Sequence, residues 1–331
     1  MLKKSLLALA LGLGMTTVAM AQDPIQIVFV GKNTGNPYFD GLVQGFVDAC
    51  ASIGCEFEFV APATAEATSQ IPFISAQIQR GVDVIATSPN SPDALNQVLD
   101  EARAKGILVL TVNGDLTGNE SHRDATILPT NFDAVGHDQV EMVGSLIGYE
   151  GEIAILSATT EAPDQNKWIV GMNETLANDS KYANMTLVAT VYGDDQPEKS
   201  TTEMEALLSN FPNLKGVIAP TTVGIAAAAQ VVQSRGIADT VKVTGLGLPS
   251  EMRDFIKDGT VTAFQLWSPY NEGWLAAHFA VGVKNGTITN EVGATFDVPN
   301  LGTRTINPNN SINTQSELTT FDASNIDDFT F

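Results

Sequence analysis

Short apolar runs rich in branched side chains recur along the chain, each followed by a stretch with helical spacing. The first run, residues 27–30, is Ile-Val-Phe-Val, the pattern of a strand buried on both faces. Gly31 closes it, a polar loop covers 32–36, and Asn36-Pro37 reads as an N-cap with proline at the first helical position. Tyr38, Phe39, Leu42, Val43 and Phe46 continue at helical spacing. The same reading predicts strands at 55–60, 82–86 and 107–112, with helices over 70–79 and 94–105 that end at Arg80-Gly81 and Gly106. From residue 132 the pattern restarts. Helices at 132–147, from 168, at 200–209 and at 225–233 alternate with strands at 152–156, 187–191, 217–219 and 241–244. A further strand at 262–267 and a helix at 273–284 precede a tail rich in Asn, Thr and Pro, closed by residues 325–329.

Strand and helix in regular alternation imply an α/β fold with parallel sheets and right-handed crossovers. The two halves also resemble each other. Val84-Ile-Ala-Thr, a helix, Lys105-Gly106 and Thr111-Val-Asn-Gly114 parallel Val217-Ile-Ala-Pro, a helix, Arg235-Gly236 and Val243-Thr-Gly-Leu246. This weak twofold repeat predicts two doubly wound lobes whose carboxyl edges face one another, where ligands bind in open parallel sheets. The order of elements lets the chain cross between lobes several times and so form a multi-strand hinge. The division expected is 1–21 as a leader, 22–128 plus 265–295 as the first lobe, and 129–264 plus 296–331 as the second.

The leader is legible from charge and hydropathy. Lys3 and Lys4 precede an apolar run at 6–13 and the A-x-A triplet Ala19-Met-Ala21, and that run is too short to span a bilayer. No cysteine lies near the cut, so the expectation is a freely soluble exported chain of roughly 310 residues, enough for two ordinary domains. The formal charge is −21, and −23 without Lys3 and Lys4. So acidic a chain repels nucleic acid and anionic lipid. Cys50 and Cys55 sit near the end of the first helix and the start of the next strand. An exporting compartment permits a small disulfide between them, and two buried thiols are the alternative. His122, His137 and His278 are separated and offer too few ligands for zinc even with the cysteines. No P-loop, G-x-S-x-G, H-E-x-x-H or C-x-x-C occurs, and Gly245-Leu-Gly247 lacks the third glycine of a dinucleotide site. No cofactor, metal or catalytic residue is expected, and the chain is read as a binding protein rather than an enzyme.

The polar residues at predicted strand ends are Lys32, Asn36, Asn113, Asp115, Asp164, Gln165, Asn166 and Thr222. Amides and carboxylates suit hydroxyl groups, since each can serve several O–H donors or acceptors. Tyr38, Phe39, Trp168 and Trp267 lie near the same edges, where flat rings can cover the C–H faces of a sugar or polyol. One lysine among several acids disfavours a multiply charged anion. Each position also has a purely structural reading: Asn36 and Asp164 as helix caps, Asp115 as a turn residue, Phe39 and Trp267 as core.

At this point the residues resemble a family. The leader, Asn36-Pro-Tyr-Phe39 after the first strand and the repeated lobes are similar to the type I periplasmic sugar-binding proteins of ABC importers. Ile155-Leu-Ser-Ala-Thr-Thr160, Val217-Ile-Ala-Pro-Thr-Thr-Val-Gly224 and Val243-Thr-Gly-Leu-Gly-Leu-Pro-Ser-Glu-Met252 resemble the rhamnose receptors. Asp164-Gln-Asn-Lys-Trp168 and Asn325-Ile-Asp-Asp-Phe329 resemble those and the Lsr-type autoinducer-2 receptors. The resemblance implies ligand binding by Lys32, Phe39, Asn113, Asp164, Gln165, Pro220, Thr222 and Trp267. Lys32, Asp164, Gln165 and Pro220 match the autoinducer-2 pattern. Asn113 replaces an expected Asp and Thr222 an expected Ala, and losing that carboxylate removes charge-assisted bonds of roughly 1.5–3 kcal/mol each. Asn113-Gly114 also replaces the Asp-Arg pair of ribose receptors. The implied function is periplasmic capture of a small neutral sugar, rhamnose first, by hinge closure and delivery to a permease. An Lsr-type autoinducer-2 receptor is the alternative. The implied partners are the permease membrane subunits and a chemoreceptor, with the receptor itself a monomer.

Overall fold

The structure is a computed structural model that describes residues 23–315 and 317–331; the expected leader lies outside the described residues. Its first half runs β1 (Gln26–Val30), α1 (Tyr38–Ile53), β2 (Glu56–Val60), α2 (Ile71–Arg80), β3 (Val84–Thr87), α3 (Asn96–Ala104), β4 (Leu108–Val112) and β5 (Ala125–Leu128). The second runs α4 (Phe132–Ile147), β6 (Glu150–Ser157), α5 (Pro163–Asn178), β7 (Asn184–Tyr192), α6 (Pro197–Asn210), β8 (Leu214–Ala219), α7 (Thr222–Arg235), β9 (Lys242–Gly245) and α8 (Pro249–Lys257). The remainder comprises β10 (Ala263–Leu266), α9 (Pro269–Lys284), β11 (Thr295–Val298), β12 (Gly302–Thr305), β13 (Ser311–Asn313) and β14 (Thr319–Asp322).

Two parallel sheets result, ordered β13-β5-β4-β3-β1-β2 and β7-β6-β8-β9. This is the doubly wound α/β architecture that the alternation implies. Every residue of β3 and β4 is buried, as strands covered on both faces must be. β2 lies at an edge, and its exposed Glu56 and Glu58 discourage further strand pairing there. The ring of Phe29 on β1 packs against Phe39, Phe46 and Phe59, which fixes α1 and β2 on either side of it. Cys50 and Cys55 form a disulfide that ties the end of α1 to the approach of β2.

Among the described residues the chain passes between the sheets three times, at 129–131, at 267–268 and between β13 and β14. Two of these passages touch: Thr314 donates through its backbone N–H to the Leu128 carbonyl at 2.9 Å and through its hydroxyl to the Pro129 carbonyl at 2.7 Å. The tail departs from the division read in the sequence, which places 296–331 with the second lobe. β13 pairs with β5 in the first sheet, whereas β14 pairs antiparallel with β10. β10 in turn touches the second sheet through the Leu246–Gln265 bridge. α9 returns to the first half and crosses α1 at close range, because a Cβ at Gly45 would collide with the Tyr270 carbonyl and one at Gly273 with that of Leu42.

Candidate functional site

Strand ends from both sheets converge on one narrow cavity of about 40 Å³. The first sheet contributes Lys32 from the loop after β1, Asn36, Tyr38 and Phe39 from the start of α1, and Asn113 from the end of β4. The second contributes Gln165 and Trp168 from α5, Asp195 from the loop before α6, and Pro220, Thr221 and Thr222 after β8. Leu246, Leu266 and Trp267 complete the wall. Of the eight residues that the resemblance implied, seven line this one cavity, and Asp164 lies directly behind it, bonded to Lys32.

Local structure accounts for each placement. The side-chain oxygen of Asn36 accepts the Tyr38 backbone N–H at 3.1 Å, so it caps α1 while facing the cavity. Asn113 has φ 69°, a left-handed conformation that asparagine tolerates better than most residues and that turns its amide off the strand end. Asp164 and Gln165 differ from expectation. The polar stretch 157–166 reads as loop, but Pro163 starts α5, so both side chains belong to the first turn of a helix. The carboxylate of Asp164 therefore sits at a helix N-terminus, which favours negative charge.

Asp164 also joins the two halves. Lys32 donates to it at 2.9 Å with both side chains buried, and the Asp115 backbone N–H reaches its other oxygen at 3.3 Å. Burial pushes the Asp164 carboxyl up, and the Lys32 ammonium pulls it part of the way back. Burial also raises Asp195, with the Thr221 hydroxyl offsetting part of the effect by donating to it. Among the described residues Lys32 is the one cation that lines the cavity, and its charge is engaged by Asp164, so these residues offer no free cation to an anionic ligand.

The remaining groups suit hydroxyls. Gln165 gives its Nε2 to the Pro220 carbonyl at 3.4 Å, while its Oε1 is buried without a protein partner. Trp168 Nε1 is likewise buried and unpaired. An unpaired acceptor and an unpaired donor in one cavity wall are costly unless a ligand or water serves them. The rings of Phe132, Trp168 and Trp267 meet edge-to-face or tilted, with centroids 5.0–6.4 Å apart, and hold the tryptophans rigid.

Tyr38 and Trp168, read from the sequence as rings near these edges, do line the cavity. Sequence reasoning passed over others that touch or support it. Asp195 could have been found from Asp194-Asp195 between a strand and the Gln196-Pro197 helix start. Glu272, fully buried beneath Tyr38, had only the signal of an acid within an otherwise apolar helix. Asn166 points away to the Thr160 carbonyl, and Asp115 engages Arg123, as a turn residue would. None of the three histidines lines the cavity: His122 meets Asp100, His137 meets Asp138 and His278 packs on Trp274. Among the described residues no helix is long and apolar enough to cross a membrane.

Comparison with known proteins adds a lineage. A family profile described as a periplasmic binding protein domain matches residues 27–288. A sugar ABC transporter structure from Actinomyces odontolyticus is 39% identical, covers 93% of this chain and 98% of its own, and superposes with a TM-score of 0.74. An ABC transporter solute-binding protein from Clostridium phytofermentas with bound L-rhamnose is 34% identical over 92% and 98% of the two chains, with a TM-score of 0.88. LsrB from Clostridium saccharobutylicum in complex with AI-2 shares the fold, with 23% identity over 93% and 100% of the chains and a TM-score of 0.86. The chain spans 64% of the length of the first curated relative that it matches. The relatives are binding and transport proteins rather than enzymes.

Proposed function

The chain belongs to the periplasmic binding protein domain family, and on that premise we propose that it is the sugar receptor of an ABC importer, capturing L-rhamnose in the cavity between its sheets. The observation that carries this reading is the composition of that cavity. It presents amide, hydroxyl and indole groups for a sugar's hydroxyls, with its lysine already paired. Phe39, Leu246, Leu266 and Trp267 add an apolar wall suited to the methyl group of a deoxyhexose. Burying one methyl contributes about 0.8 kcal/mol, whereas pressing an unpaired hydroxyl against the same wall costs about 1–3 kcal/mol.

The proposed cycle is hinge closure about the three passages, with Lys32, Phe39 and Asn113 on one lobe and Asp164, Gln165, Pro220 and Thr222 on the other. Trp267, beside a passage, forms the floor. The sugar favours the closed form because it touches both walls only there. The closed receptor, exported by way of its leader and monomeric, then docks on the permease, and the same closed face suits a chemoreceptor.

Calorimetric titration tests the ligand. L-Rhamnose should bind, raise the melting temperature and change tryptophan fluorescence. L-Mannose, which adds a hydroxyl at the methyl position, should bind at least about tenfold more weakly, the ratio that 1.4 kcal/mol gives. The second reading, autoinducer-2, draws on the matches at Lys32, Asp164, Gln165 and Pro220, and Asn113 and Thr222 count against it. Silence toward rhamnose with a strong response to autoinducer-2 would reverse the order of the two.

A further inference from the structure

Beneath the cavity, four side chains meet at one hydroxyl. The Tyr38 hydroxyl has Trp267 Nε1 at 2.6 Å, Asn113 Oδ1 at 2.7 Å and a carboxyl oxygen of Glu272 as hydrogen-bond partners. A phenol has one proton to give and two lone pairs. The indole N–H only donates, so it takes one lone pair. One proton and one lone pair remain for two partners, Asn113 and Glu272. If Glu272 were ionised, it would have to take the proton. Asn113 would then have to donate its Nδ2 to Tyr38 and turn its oxygen elsewhere. If Glu272 carries a proton, it donates to Tyr38, Tyr38 donates to Asn113 Oδ1, and Asn113 Nδ2 is left for the cavity and for Ser88.

The orientation of Asn113 fits the second pattern: its Oδ1 faces Tyr38 and its Nδ2 lies 3.5 Å from Ser88 Oγ. Glu272 is fully buried in the first turn of α9, and its second oxygen has no protein partner. The titratable and charged groups that face it are Tyr38 from α1, Lys32 from the loop after β1 and Asp164 from α5. Lys32 is bonded to Asp164 rather than to Glu272. Asp48, the other acid between α1 and α9, serves the Tyr270 hydroxyl at 3.1 Å. The helix N-terminus favours a charged Glu272 only weakly, whereas a buried carboxylate without a cation is strongly disfavoured.

We propose that Glu272 is held as a neutral carboxylic acid and, through Tyr38, fixes Asn113 as a hydrogen-bond donor toward the sugar, which makes Glu272 a positioning residue for ligand selection. The inference deepens the sugar-receptor reading and rests on it for the ligand. Burial, with the nearby Asp164 carboxylate adding to it, also pushes the Glu272 carboxyl well above its ordinary range, and the hydrogen bond with Tyr38 offsets only part of the effect.

The test is a comparison of wild type with E272Q, whose amide N–H can donate to Tyr38 as the acid does. Difference infrared spectroscopy at neutral pH, without ligand, should show the carbonyl band of a protonated carboxylic acid in the wild type that E272Q lacks. Because the folded-state carboxyl is raised, its stabilising contribution is present in acid and lost as pH rises through the folded value. The melting temperature of E272Q should therefore gain on wild type as pH rises. E272Q should keep L-rhamnose affinity within about threefold and bind it independently of pH where wild type weakens in base. No band lost in E272Q, or a more than tenfold loss of affinity in that variant, overturns the proposal. The spectrum needs no sugar, so failure of wild type to bind rhamnose, with the band present, counts against the ligand assignment alone.

Discussion

Asn113 shows how much one side chain decides. It stands at the end of β4 in a left-handed conformation, gives its oxygen to Tyr38 and lines the cavity. Replacing it by Asp keeps the shape and the acceptor but removes the Nδ2 donor. A ligand oxygen that had used that donor is left facing a carboxylate, at a cost of about 1–3 kcal/mol. N113D should therefore weaken L-rhamnose binding roughly 5- to 150-fold with little change in melting temperature of the free protein; calorimetry and a thermal melt check both. Asn113, Lys32 and Thr222 could be read from the sequence because a strand's apolar run ends visibly and the next polar residues must sit at its carboxyl edge. Glu272 could not be read that way. It reaches the site from α9, more than a hundred residues after the strands it supports, and only the crossing of α9 with α1 brings it under Tyr38.

Among the elements, those with strong periodicity were legible and those held by context were not. The strands β1, β3, β4, β6 and β8 announce themselves by buried apolar runs. The start of α5 was hidden because Asp164, Gln165 and Asn166 interrupt its apolar face, and only Pro163 marks its first turn. α8 was missed for a related reason: it is short, and Pro249 reads equally well as a turn after the glycines of 245–247. The strands β11 to β14 have three or four residues each and gain their structure from partners elsewhere in the chain. The question the sequence left open at Cys50 and Cys55 is answered by the fold, since Gly54 in a left-handed C-cap brings α1 back toward β2. So short a loop constrains the unfolded chain modestly, about 2 kcal/mol. Replacing both cysteines by alanine should lower the unfolding free energy by that amount in urea melts and leave sugar affinity unchanged, since the bridge lies outside the cavity wall.

At the scale of the whole molecule, the described residues join the two halves by three passages and touch across the cleft at polar points. The most intimate is the approach of Gly114 to Asp164, where a side-chain carbon on the glycine would collide with both carboxylate oxygens. Gly114 does not have a left-handed backbone, so a larger residue is permitted there by conformation and forbidden only by the opposing lobe. That separates folding from closure. In G114V each lobe should fold normally, because the added carbons point into the cleft rather than into either core. The closed form alone carries the penalty, about 1–3 kcal/mol for an overpacked contact. If the sugar binds by holding the lobes together, that penalty passes directly into affinity, and L-rhamnose should bind roughly 5- to 150-fold more weakly. X-ray scattering in solution reads the same event as shape: wild type should contract when rhamnose is added, and G114V should need far more sugar to contract equally. An unchanged affinity in G114V, with normal contraction, would mean that closure does not bring Gly114 against Asp164, and the hinge mechanism would have to be abandoned.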